Sequence, residues 1–202
     1  MTDGNKVKRF EKVALSHIDA AYNLARWLTK NDHDAQDIAQ EAYLRAFRSF
    51  DSFNGEDGRA WLLTIVRNTY FTWRQKNSHR AKDESYEEES HGRDDSNPAL
   101  VDGASLNNPE TLLVQRSSAE IINKALERLP LDSREVIVLR ELEELSYKEI
   151  ATTLKVPIGT VMSRLARARS QLKTQVEQIN AESNYEMRAA KATVSPLYGR
   201  RT

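Results

Sequence analysis

The sequence predicts an all-α protein in which two small helical bundles are joined by an acidic linker. Three observations carry this. Apolar residues recur at spacings of three and four in two separate stretches, residues 10–82 and 111–173. Between them, from Asp83 to Glu110, nine acids stand against one base, Arg93, among Gly92, Pro98, Gly103 and Pro109. No stretch alternates apolar and polar residues between turn signals, as a half-buried strand would. The acidic segment has too little apolar surface to offset its ordering entropy and reads as a flexible linker.

In the first bundle, Ala14, Ile18, Ala21, Ala25 and Leu28 form one apolar stripe. Asn31-Asp32-His33 is a turn, and Asp34 is placed to cap the helix that follows. That helix turns Ile38, Ala42 and Ala46 inward, with Phe47 beside them. A glycine-containing loop, FDSFNGEDG, spans Phe50 to Gly58. The next helix starts near Arg59, burying Leu62, Ile65, Val66, Thr69 and Trp73 and presenting Thr64, Asn68, Phe71 and Gln75 on another face.

The second bundle opens at Asn108-Pro109-Glu110, where a capping side chain, a first-turn proline and an acid at the positive end of the dipole mark a helix start. Asp132 starts a helix carrying Val136, Ile137 and Leu139. Ser146 and Glu149 have the spacing of a capping box. The helix they begin turns Ile150, Ala151 and Leu154 to one side, and small Ala151 permits a close crossing. Lys155-Val156-Pro157-Ile158-Gly159 breaks the period. Val161, Leu165 and Ala168 then form the stripe of a further helix. The tail after Lys173 has a short helical start, and the run AKATVSPLYGRRT that follows has no clear period.

That last pair of helices points to DNA. From Ile158 to Val176 there are four basic residues and no acid. Arginine forks onto phosphate or guanine, and serine or threonine bonds a phosphate or a base edge. Two short helices with a tight turn, the second basic, match a helix-turn-helix whose second helix enters the major groove. An ordinary amphipathic hairpin with a solvated basic face is the competing reading. The capping box, the small residue, the turn and the absence of acids together favour DNA.

Composition narrows the class further. Thirty basic and thirty acidic side chains cancel over 202 residues, so any positive surface is local. There is no cysteine, which excludes disulfides, a thiol nucleophile and cysteine-ligated zinc. No long apolar run and no signal-peptide core are present, which leads us to expect a cytoplasmic chain without membrane insertion. Asp32, His33, Asp34 and Asp37 fit a helix cap and turn better than a metal cluster, since no second histidine has ligand spacing. No G-x-S-x-G, P-loop or Rossmann fingerprint appears, so no enzyme, metal or cofactor is expected.

Two further surfaces stand out in the first bundle. Asp37, Gln40, Glu41, Leu44 and Arg48 share an outward face, and a leucine among charges suits docking of a partner helix as well as a plain solvated face. Phe53, Asn54 and Gly55 sit in the loop, and Arg67, Tyr70, Phe71, Trp73, Arg74, Lys76, His79, Arg80 and Lys82 follow it. Cations interleaved with aromatic rings suit single-stranded DNA. Trp61, Tyr70 and Trp73 read as core, leaving Phe53 and Phe71 for bases. Asn54 and Asn68 could line a polar pocket for a flipped base.

These motifs identify a resemblance. DAQDIAQEAYLRAFRSFDSF, RAWLLTIVRNTYFTWRQ, NPETL and LERLPLDSREVIVLRELEELSYKEIATTLKVPIGTVMSRLARAR, in this order, resemble a bacterial extracytoplasmic-function sigma factor from about Phe10 to Leu172. The resemblance implies a region 2 bundle over 10–82, an acidic linker over 83–110, a region 4 helix-turn-helix over 111–173 and a tail over 174–202. It implies that Asp37, Gln40, Glu41, Leu44 and Arg48 meet the β′ clamp helices of core RNA polymerase, with the β flap as a further contact. Phe53, Asn54, Gly55, Asn68, Phe71 and Arg74 would then capture the melted −10 element of promoter DNA. Thr160, Met162, Ser163, Arg164, Ala166 and Arg167 would read the −35 element, and an anti-sigma factor is an implied partner. Met162 and Ala166 depart from the basic or larger residues of many relatives, so a −35 sequence does not carry over. A self-sufficient helix-turn-helix regulator is the alternative, disfavoured because no heptad dimerisation helix is evident.

Overall fold

In a computed structural model the chain is described over residues 3–55, 57–83 and 109–193. Among these residues there are helices and turns and no strand. The helices are α1 (Asp3–Ala14), α2 (Ile18–Thr29), α3 (Asp32–Ser49), α4 (Gly58–Asp83), α5 (Pro109–Arg128), α6 (Leu131–Ile137), α7 (Tyr147–Leu154) and α8 (Ile158–Thr193). A 3₁₀ turn, Leu15–His17, separates α1 from α2, and a π-helical turn, Val138–Leu142, extends α6. The expected linker and the cap at Asn108 fall outside the described residues.

The chain divides into two compact units. One joins Met1–Ala99 with Pro130–Ala168, and the other joins Leu100–Leu129 with Arg169–Thr202. In the first, Ala21, Leu24, Ala25, Leu28, Ile38, Ala42, Ala46, Leu62 and Val66 are buried, so α2, α3 and α4 present the periodic faces expected of them. Phe10 seals one end, meeting Phe47 and Phe50 edge-on at 5.2 and 5.3 Å between ring centroids. Gly58 is needed at the start of α4, because an added Cβ would lie 2.5 Å from Val13 Cγ1 and 2.8 Å from the Val13 carbonyl oxygen.

Three local expectations are corrected. Ile18 is 50% exposed. The intervening 3₁₀ turn advances three residues per turn rather than 3.6 and takes Ile18 off the stripe. The cap of α3 is Asn31, whose Oδ1 accepts the Asp34 amide at 3.0 Å, so Asp34 lies inside the helix. In α4, Leu63 and Tyr70 are buried along with Leu62, Val66 and Thr69, whereas Ile65 and Trp73 are half-buried.

In the second unit, Ala125, Leu126, Leu129 and Ile179 are buried. Arg128 donates both terminal nitrogens to Glu182, at 3.0 and 2.8 Å. Helix α8 runs to Thr193, well beyond the short helical start expected after Lys173. Its distal half, TQVEQINAESNYEMRAAKAT, is rich in good helix formers, and Lys173 with Glu177 forms an (i, i+4) pair.

Candidate nucleic-acid interface and docking face

The helix-turn-helix forms as its sequence demands. Ser146 accepts the Glu149 amide at 3.3 Å and the Glu149 carboxylate accepts the Ser146 amide at 2.6 Å, a complete capping box. Lys155 ends α7 in the left-handed region at φ 55°. Pro157 precedes the first turn of α8, whose Thr160 and Val161 amides bond the Pro157 carbonyl at 2.9 and 3.2 Å. Val161, Leu165 and Ala168 are buried, which turns Met162, Ser163, Ala166 and Arg167 outward together. Thr160 and Arg164 are half-buried, and Arg164 lies close enough to Glu135 to favour its ionised form.

The face on α3 is equally clear. Asp37, Gln40, Leu44 and Arg48 are exposed, and Leu44 keeps 53% of its surface in water. Glu41 is half-buried and accepts Arg45 Nε–H at 2.7 Å, a hydrogen bond that holds its carboxyl below the usual range. The side chains of Asp32, His33 and Asp37 have other partners. Asp32 pairs with Arg26 and accepts the Tyr22 hydroxyl at 3.2 Å, and His33 stands 3.8 Å from Asp37. No grouping suited to a metal ion occurs among the described residues.

The loop before α4 is built on aromatic stacking. Phe53 lies 4.7 Å from Trp61 and 6.0 Å from Phe50 between ring centroids, and it is half-buried there. Asn54 and Gly55 are exposed beside it. Asp57 caps α4, its Oδ1 accepting the Arg59 and Ala60 amides at 2.9 and 3.1 Å. The exposed Asp57 carboxyl faces the Glu149 carboxyl and, with those amides, is held below the ordinary carboxylate range. Along α4, Asn68 and Arg74 are exposed. Phe71 carries the Arg67 guanidinium 4.6 Å above its ring and meets Tyr70 edge-on at 5.2 Å.

A set of contacts that the sequence reading did not anticipate joins α4 to α6, the turn that follows it, and α7. Arg59 donates to Glu143 Oε2 at 2.6 Å, and Arg67 Nε–H donates to Glu135 Oε1 at 2.7 Å. Between them the Thr64 and Thr153 hydroxyls are hydrogen-bonded at 3.1 Å. From α6, Arg134 Nε–H reaches the Trp27 carbonyl at 2.6 Å. Glu135 and Glu143 are 1% and 2% exposed. Burial pushes both carboxyls above the usual range, and the arginine facing each one opposes that rise. The available signal was modest: Glu135 directly precedes the apolar run VIVL and Glu143 follows Leu142, places where an unpaired charge would be costly.

The arrangement defines a helical protein with a capped helix-turn-helix and a bundle whose α3 carries a separate exposed face. Comparison with known proteins agrees. A model of sigma-70 region 2 matches residues 14–80, and one of sigma-70 region 4 matches residues 119–172. The ECF RNA polymerase sigma-E factor of Escherichia coli is 35% identical over 147 residues, 72% of this chain and 75% of that one. The ECF RNA polymerase sigma factor SigE of Mycolicibacterium smegmatis is 31% identical over 174 residues, 86% of this chain and 64% of that protein. Among solved structures, the sigma factor RpoE in complex with the anti-sigma factor NepR from Bartonella quintana is similar, with a TM-score of 0.66 and 28% identity over 84% of this chain and 98% of that one. The chain belongs to the extracytoplasmic-function sigma factors of the sigma-70 family.

Proposed function

We propose that this protein is a dissociable specificity subunit that binds core RNA polymerase and directs initiation at promoters with matching −10 and −35 elements, in a stress or envelope-signal response. The observation that carries the reading is the presence in one chain, in order, of a docking face on α3, an aromatic loop entering α4, and a capped helix-turn-helix. The protein performs no bond chemistry itself; the polymerase does. Asp37, Gln40, Glu41, Leu44 and Arg48 meet the β′ clamp helices, and residues 111–173 approach the β flap. Phe53, Asn54, Gly55, Asn68, Phe71 and Arg74 hold the unpaired −10 strand, the rings stacking on bases and the arginine tracking phosphate. Thr160, Met162, Ser163, Arg164, Ala166 and Arg167 supply the −35 contacts, with Met162, Ser163, Ala166 and Arg167 best exposed for the major groove.

Residues 10–82 and 111–173 act as the two DNA-reading domains and 83–110 as the tether between them. A cytoplasmic location follows from this role. Among the described residues no helix is long and apolar enough to cross a membrane. An anti-sigma partner is supported by relatives such as the Bartonella quintana factor solved with one. The test is reconstitution: purified protein with core polymerase should yield promoter-specific transcripts whose start sites define both elements. Failure to bind core polymerase would refute the reading.

A further inference from the structure

Among the described residues few large apolar side chains stand in water, and two of them, Ile158 at 43% and Met162 at 51% exposure, lie one turn apart on α8. Ala166, exposed one turn further on, completes a row at positions i, i+4 and i+8. A single apolar residue on a surface needs no explanation, but a continuous row does. Polar readout beside the row is thin. Of the two arginines between Ile158 and Ala168, Arg164 is half-buried near Glu135 and Arg167 is exposed. The Ser163 hydroxyl donates to the Thr160 carbonyl at 3.0 Å, which leaves its oxygen as an acceptor.

Charge decides what covers the row. The exposed cations Lys155 and Arg167 flank it in the chain, and no acid occurs from Ile158 to Val176, so a polyanion is admitted. On the major-groove edge of duplex DNA the apolar group is the thymine C5-methyl. Resting on the reading of α8 as the −35 helix, we propose that Ile158, Met162 and Ala166 form a methyl-reading row that selects thymines in the −35 element. Ile158 thereby joins the specificity residues, although the sequence reading did not single it out. Four helical residues advance about 6 Å, near two base-pair steps, so the row takes thymines within about two steps of one another. An A·T pair also presents the adenine N6 amine, which suits the Ser163 acceptor next to Met162. The unbranched thioether of Met162 adapts to a methyl, where an arginine would fork onto guanine.

The probe is a pool of DNA duplexes with a randomised centre, presented to the full chain without polymerase. The enriched duplexes should carry thymines within the expected window. Replacing each by deoxyuridine, which removes the methyl and nothing else, should weaken binding about fourfold, the loss for one buried methyl. Met162→Ala should weaken binding to the thymine duplex and remove the deoxyuridine penalty at one position, and Ile158→Ala should do so at its neighbour. This coupling separates a contact from a change in fold, because a general structural loss would weaken both duplexes equally. Met162→Arg should move the preference at that position from thymine to guanine. Enrichment of no sequence, equal affinity for thymine and deoxyuridine duplexes, or a penalty that persists in Met162→Ala would overturn the proposal. So would unaltered selection by both alanine variants, the outcome expected if the row seats a protein instead. These readouts need no polymerase, so a chain that fails to bind core polymerase would refute the sigma-factor reading separately.

Discussion

Arg67 Nε–H donates to Glu135 Oε1 at 2.7 Å, and the accepting carboxylate is 1% exposed. A buried charge that loses its hydrogen-bonded guanidinium is costly to leave behind, even with Arg164 nearby. Arg67→Ala should therefore lower unfolding stability by about 3 kcal/mol, read from urea denaturation at neutral pH. Glu135→Gln in the same background should recover much of that loss, because it removes the orphaned charge.

The same burial sets a pH dependence. Glu135 and Glu143 both have folded-state pKa values raised above the ordinary 4.5, by burial first. Between the unfolded and folded values the folded chain holds more protons, so their contribution is complete below the unfolded pKa and is lost as pH rises through the folded one. Stability of the wild-type chain should fall more steeply with rising pH above 4.5 than that of the Glu135→Gln, Glu143→Gln variant. Equal slopes in urea titrations would show that neither carboxyl is buried in solution.

Gly58→Ala should destabilise the first bundle by about 1–3 kcal/mol through overpacking. The new methyl would meet both the Val13 side chain and its carbonyl oxygen. Val13→Ala should rescue only part of the loss, since the carbonyl contact remains; full rescue would locate the clash in the side chain alone.

Ser146→Ala removes one arm of the capping box that starts α7. The expected loss is about 1 kcal/mol, measured by chemical denaturation. Its effect on −35 duplex binding should be smaller than that of Arg167→Ala, because Ser146 positions α7 and does not sit on the reading face of α8.

Arg167 is exposed on α8 beside Met162, Ser163 and Ala166. Arg167→Ala should weaken −35 binding by about 1–3 kcal/mol with relaxed specificity at one position if the arginine forks onto a base. Uniform loss across promoter sequences, with a shallower salt dependence, would make it a phosphate contact.

Glu41→Lys should impair binding to core polymerase and leave the helical content of the chain unchanged. The side chain pairs with Arg45 within one helix, and such a surface pair adds little to stability. Unchanged polymerase affinity would remove Glu41 from the docking face.

Much of the architecture was readable from local rules. The capping box at Ser146 and Glu149, the turn before Ile158 and the stripe of Val161, Leu165 and Ala168 depend on residues within one or two turns of each other, and each formed as expected. Ile18 and Asp34 were misplaced for local reasons of another kind. A three-residue 3₁₀ turn shifted the register of one, and Asn31 took the capping position from the other.

The sequence by itself determined the all-α class, the capped helix-turn-helix and the outward side of α3, because helical periodicity and capping act over a few residues; that Thr160 and Arg164 are half-buried while Met162, Ser163, Ala166 and Arg167 are exposed came from the structure. Only the tertiary structure decided what faces α4. Arg59 and Glu143 are separated by 84 positions and Arg67 and Glu135 by 68, and no period or spacing links residues so far apart. Which acid meets which arginine is set by how α6 and α7 pack on α4, and charge pairing of that kind becomes visible only once burial has removed the water that would otherwise screen it.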